Sequence, residues 1–250
     1  MPAYNSAHTL RASAASVLDQ SFRDLELIVV DDGSTDATKA ITRRLMADDA
    51  RVRVIHRHRS SGPAVARNDA IAIARGRYVA FCDADDLWLP HKIERQIELA
   101  NRTGAALVYS SYHRVAADFA DSPRSFRSEG RVVRVPSRLP YEQLLYRNLI
   151  GCLTAMFDRE RTGDVRMPNH PGAEDWALWL RILREGGHAA GVTDPLALYR
   201  CAHPDSFSSR RMRAARAVWR VLRTEEGLGR PGAAVHLTTD AVAALRKQRV

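Results

Sequence analysis

Three carboxylates fall within four positions at Asp83, Asp85 and Asp86, where the apolar run of "RYVAFCDADDLWLP" ends. Like charges so close together repel, and each loses stability if it is dehydrated without a partner. The cluster therefore anticipates something positive. A hard divalent cation, Mg2+ or Mn2+, meets that need, because such ions take carboxylate oxygens and share their coordination with substrate phosphates. Asp83 and Asp85 flank a single residue and can offer two carboxylates from one strand end. The D-x-D triplet is common by chance, so its weight comes from its position after a buried-looking run and from the motifs around it. Asp86 reads as the cap of the following helix.

The elements that must position these acids alternate at βαβ spacing. Residues 25–31, "LELIVVD", form a continuous apolar run bounded by the turn cluster "DGSTD", which predicts a buried strand followed by a helix with Ser34 or Asp36 at its N-cap. "VRVIH" is the next short strand, "GPAVARNDAIAIARG" the next helix with Gly76 as its stop, and "RYVAFCD" a third strand before a helix over residues 90–102. This pattern predicts an α/β fold with a Rossmann-like, mainly parallel sheet flanked by helices. Ligands in such sheets bind beyond the carboxyl ends of the strands, where Asp31 and Asp32 lie at one end and Asp83 and Asp85 at another.

After residue 107 the pattern becomes mixed. "ALVYSSYHRV" and "LTAMFDRE" read as strands, and residues 118–140 have the Ser, Pro, Gly and Arg content of a mobile loop. "EDWALWLRILREGG" has helical periodicity in Trp176, Trp179, Leu180 and Leu183 and is closed by Gly186 and Gly187, with Trp179 expected in the core. Beyond Phe207, "RRMRAARAVWRVLRTEEG" is a basic helix with an apolar stripe. No internal repeat is visible.

The formal net charge of +9 comes almost wholly from arginine, Lys39, Lys92 and Lys247 being the only lysines. That balance fits an anionic partner: a phosphorylated small molecule, nucleic acid or an acidic membrane surface. Nucleic acid is disfavoured, because the arginines are spread along the chain and no basic patch interleaved with aromatics marks a binding module. Cys82, Cys152 and Cys201 are odd in number and form no C-x-x-C pair, so they read as buried free thiols. No stretch approaches the roughly 20 apolar residues of a membrane span, and no signal-peptide pattern opens the chain, which makes the cytoplasm the default compartment.

Taken in order, "MPAYN", "VVDDGSTD", "GPAVARNDAI", "YVAFCDADDLWLP", "EDWALWLRI" and "PLALYR" resemble the inverting family 2 glycosyltransferases of the GT-A fold, over residues 1–209. The resemblance implies a nucleotide-sugar-binding half over residues 1–106, an acceptor-binding half over 107–209 and a basic helical extension over 210–250. It implies a nucleotide-diphospho-sugar donor, UDP- or dTDP-linked, and a glycan or lipid-linked acceptor. Ala3 and Tyr4 would line the base pocket, with Asn5 shaping the turn, and Asp32 would accept a hydrogen bond from the base imide. Arg67 would reach the base or diphosphate, Asp83 the ribose side, and Asp85 the metal that bridges the diphosphate, with Asp83 beside it. Asp175, in the "ED" pair, corresponds to the family's catalytic base. His56, His58 and His203 receive no role.

One departure from the family pattern stands at the start, where a buried apolar strand precedes the "PAYN" loop in the family but not in this sequence. An added apolar strand is therefore expected to raise stability. A nucleotide-sugar-binding protein of impaired activity, a basic anion-binding protein, a nucleotidyltransferase and a glycosidase are the competing readings. The nucleotidyltransferase lacks its glycine-rich, lysine-bearing loop in "MPAYNSAHTL", and the glycosidase would not need a nucleotide pocket. The basic stretch 210–223 can rest on an anionic membrane or pack against the catalytic domain. Donor sugar, acceptor identity and oligomeric state have no readable code here.

Overall fold

The computed structural model describes residues 1–120, 122–127, 131–184, 188–201 and 211–236. His203, Gly186, Gly187 and the 209/210 boundary lie outside the described residues. The strands are β1 (Pro2–Ala3), β2 (Leu27–Asp31), β3 (Val52–His56), β4 (Tyr78–Ala80), β5 (Leu87–Trp88), β6 (Leu107–Val115), β7 (Arg131–Val133), β8 (Arg138–Pro140), β9 (Met156–Asp158) and β10 (His188–Arg200). The helices are α1 (Leu10–Leu18), α2 (Thr38–Asp48), α3 (Pro63–Ile73), α4 (Lys92–Thr103), α5 (Tyr141–Tyr146), α6 (Arg159–Thr162), α7 (Glu174–Leu183) and α8 (Arg211–Thr224).

The fold is α/β, as the alternation predicts, but the strands divide between two sheets. A parallel three-stranded sheet runs β1-β2-β3, and a mixed sheet runs β4-β9-β6-β10-β5, with β7 on β6 and β8 on β10. β2 is buried at every position, which is why its sequence shows no alternation. Met1 continues the short β1 pairing: its amino group donates to the Ile28 carbonyl at 2.8 Å and its carbonyl accepts from Val30 N–H at 2.9 Å. Burial lowers that amino group to about 6. A cavity of about 680 Å³ is lined by Leu25–Ile28 and Tyr78–Cys82, together with Val17, Ala70, Ile71, Ile93 and Ile97.

Several local expectations need correction. α3 ends at Ile73, with Ala74 already extended, three residues before Gly76. α2 begins at Thr38, and Asp36 accepts from the Thr38 N–H at 2.9 Å while its other oxygen takes the Ala7 N–H. Asp86 caps no helix. It is buried and accepts from the Arg200 N–H, whereas α4 starts six residues later. The segment read as a mobile loop contains β7 and β8, each only three residues long and anchored by pairing with a longer strand rather than by its own pattern. α8 buries Ala217, Val221 and Leu222 in the same core as Trp176 and Trp179 of α7, so its apolar stripe faces protein.

Candidate active site

The loop after β1 and the loop after β2 hold each other. Ala3 is buried, and its carbonyl accepts the Asp32 N–H at 2.8 Å. Asn5 adopts φ 49°, in the left-handed region that Asn tolerates better than most residues, and its side-chain oxygen accepts the Thr35 N–H at 2.9 Å. Tyr4, between them, is 53% exposed. Gly33 has φ +75°, and a Cβ there would lie 2.7–2.8 Å from the backbone of Arg59 and Ser60, so the loop after β2 can meet the loop after β3 only with glycine at that position.

Asp32 is the anchor of the loop that enters α3. Its oxygens accept from the Ser60 hydroxyl at 2.7 Å and from the Ser61 and Gly62 N–H groups, and the Arg57 guanidinium pairs with it, Nε standing 2.9 Å from Oδ1. A carboxylate offers about four lone-pair sites, so any imide from a base would share an oxygen already in use. Asp31 faces His56, with Nδ1 at 3.2 Å. His58 lies exposed in the loop after β3.

Arg67 is the centre of the site. Carried by α3 and almost wholly buried, it donates through Nη2 to Asp83 Oδ1 at 2.5 Å and through Nη1 to Glu174 Oε1 at 3.4 Å. Burial alone would lower its pKa, but the Asp83 charge and hydrogen bond, together with the Cys152 and Glu174 charges, outweigh that and raise it. Glu174 also accepts the Gly172 N–H at 2.6 Å, fixing the entry to α7. Glu174 was not anticipated, although the "ED" pair was its signal.

Asp175 follows in the first turn of α7. Its Oδ1 accepts the Trp176 N–H at 2.7 Å. Burial first, and the Glu174 charge second, push its carboxyl up to about 6. A carboxylate with that value can accept a proton near neutral pH, as a general base must. Trp176 and Trp179 are buried core residues, with Trp176 Nε1 donating to the Leu144 carbonyl.

The Asp83–Asp86 segment is a tight turn, closed by Asp86 N–H to the Asp83 carbonyl at 3.1 Å and held by Ser13 Oγ on the Ala84 carbonyl. Arg200, also unanticipated as a site residue although it ends the "PLALYR" motif, donates to the Asp85 carbonyl at 2.7 Å. The Asp85 side chain is exposed along the cleft, and its carboxyl is raised by desolvation against the site and by the Asp83 charge. Among the described residues no three acidic, His or Cys side chains gather to hold a metal unaided. Asp83 and Asp85 fit a cation completed by substrate phosphates, the arrangement in which one or two carboxylates suffice.

The fold and this cleft define a glycosyltransferase of the GT-A class. The model of the family described as glycosyl transferase family 2 matches residues 1–159, and the chain belongs to that family. The chain is 40% identical over 227 residues to a putative teichuronic acid biosynthesis glycosyltransferase, TuaG, of Bacillus subtilis (strain 168), covering 91% of this chain and 87% of that protein. It is 33% identical over 223 residues to the Escherichia coli UDP-Glc:alpha-D-GlcNAc-diphosphoundecaprenol beta-1,3-glucosyltransferase WfgD, covering 89% and 83%. Among solved structures, S. aureus TarS 1–349 in complex with UDP-GlcNAc matches with TM-score 0.71 at 18% identity, over 94% of this chain and 68% of that one. A mannosyltransferase of Pyrobaculum calidifontis in complex with GDP-Man and Mn2+ matches with TM-score 0.67 at 23% identity, over 95% and 66%. These two likenesses establish the GT-A fold. No described helix is long and apolar enough to cross a membrane.

Proposed function

We propose that this chain moves a sugar, with inversion, from a UDP- or dTDP-linked donor to a hydroxyl of a lipid-linked or nascent glycan acceptor. The observation that carries this reading is the convergence of three elements through one guanidinium: Arg67 of α3, Asp83 after β4 and Glu174 of α7. That link sets Asp175 beside the donor cleft with its carboxyl pushed up to about 6. The acceptor oxygen attacks the anomeric carbon from the face opposite the diphosphate, its proton passes to Asp175, and the bond to the nucleotide diphosphate breaks. Help from a positioned base is typically worth about 10² to 10⁴ in rate.

Ala3, Tyr4 and Asn5 with Asp32 form the base side of the donor pocket, and Asp83 and Asp85 face the ribose and diphosphate. Asp85, with Asp83, would hold Mn2+ or Mg2+. When bound, such an ion supplies Lewis-acid stabilisation of charge on the departing phosphate. The specificity carried in the name of the E. coli relative WfgD, for a UDP-sugar and a diphospholipid-linked sugar, supports the donor and acceptor classes. Membrane contact, if made by α8, falls to exposed arginines such as Arg216 and Arg220.

Isothermal titration of UDP and dTDP, with Mn2+ and with EDTA, tests the reading. Metal-dependent binding that Asp85→Ala abolishes is the expected result. A folded protein that binds neither nucleotide would sink it.

A further inference from the structure

β6 and β7 pair antiparallel with Tyr112 opposite Val133 and Arg114 opposite Arg131. Two guanidiniums on one rung repel, and directly opposed like charges destabilise a sheet. Both residues are exposed. Among the described residues neither has a carboxylate within ion-pair distance, and Arg114 Nε donates only to a soft acceptor, Cys201 Sγ at 3.2 Å. On its other edge β6 pairs with β10, where Tyr199 stands opposite Arg114.

Residues in register project to the same face of a sheet, so Tyr112, Arg114, Arg131 and Tyr199 make one surface. The Tyr112 and Tyr199 rings meet edge-on, with centroids 6.1 Å apart. This surface borders the cleft, since Arg200, which follows Tyr199 in β10, donates to the Asp85 carbonyl at 2.7 Å.

We propose that Arg114 and Arg131 form an anion subsite that receives the diphosphate of the acceptor, with Tyr112 and Tyr199 as its apolar floor. The inference rests on the acceptor class proposed above and assigns that class to particular residues. A diphosphate turns the repulsion across the rung into a two-sided, charge-assisted clamp, the geometry guanidinium groups favour. It also places recognition of the acceptor on a different sheet from the base pocket of Ala3 and Tyr4.

The test titrates a short-chain prenyl diphosphate into the full chain in EDTA, so that a metal at Asp85 cannot provide a competing site, and compares wild type with R114Q, R131Q and the double variant. UDP with Mn2+ is titrated in parallel. Expected is a loss of prenyl diphosphate affinity of about tenfold for each single substitution and more for the double, with UDP affinity unchanged. Equal binding by wild type and double variant, or no binding by wild type, overturns the subsite. A parallel loss of UDP affinity also overturns it, by assigning the arginines to the donor. Should wild type bind prenyl diphosphate through the arginines but never bind a nucleotide, the subsite stands and the donor reading falls.

Discussion

Arg67 Nη2 lies 2.5 Å from Asp83 Oδ1, and the same guanidinium reaches Glu174 in the first turn of α7. One buried cation thus fixes the D-x-D turn and the helix that carries Asp175 relative to each other. Its removal leaves two carboxylates facing each other without compensation. Breaking a buried pair in this way typically costs about 3–5 kcal/mol. Arg67→Ala should lower the melting temperature by roughly 6–20 °C, at about 2–4 °C per kcal/mol for a chain of this size. Arg67→Lys should recover only part, because one ammonium cannot fork between two acids. Thermal melts of both variants check this, and equal melting of wild type and Arg67→Ala would refute the linking role.

Asp175→Asn should lower kcat by about 10² to 10⁴ while leaving the Kd for UDP within about twofold. In the wild type kcat/KM should rise with pH through about 6 and level off above it, because the carboxyl must be ionised to take a proton. A donor-saturated pH profile with no acid limb near that value would remove Asp175 from the role of base.

The same substitution should stabilise the protein. The Asp175 carboxyl is pushed from 3.8 up to about 6 on folding, so between those values the folded chain holds more protons than the unfolded one. Stability therefore falls as pH rises across that window, and above about 6 the penalty is complete. Asp175→Asn, which keeps an oxygen for the Trp176 N–H, should be more stable than wild type at pH 7.5, by on the order of 3 kcal/mol, and equally stable at pH 4. A constant difference at both pH values would contradict the linkage.

An extended apolar segment of about five residues joined ahead of Met1 should raise the melting temperature by about 5–10 °C, because its residues would continue the β1 register opposite Ile28 and Leu27 and fill the 680 Å³ cavity. It would also convert a buried terminal amino group into a peptide N–H that makes the same bond to Ile28. A Gly-Ser segment of equal length is the control. Equal melting of the two would show that the cavity does not accept a strand.

Much of the site was legible because its residues sit where a change of pattern forces them to. The run "LIVVD" ends at Asp31 because a strand buried on both faces has no other reason to meet a carboxylate, and "FCDADD" breaks in the same way. Glu174 was missed because a first-turn acid needs no partner to be explained by the helix dipole; only a buried arginine 107 residues away shows its purpose. β7 and β8 were missed because three residues carry no period, and they become strands only through their long neighbours. Asp86 was misread as a cap because its true partner, the Arg200 amide, is 114 residues distant in sequence.

The two sheets share no strand among the described residues. Cooperative units in a protein follow its contiguous hydrogen-bonded elements, so amide exchange should resolve two of them, β1-β2-β3 opening at lower free energy than the β6–β10 ladder. A nucleotide that touches Tyr4 on one side and Asp83 on the other would then act as a staple between them. Its protection would appear most clearly at the β2 and β4 edges that flank the cavity.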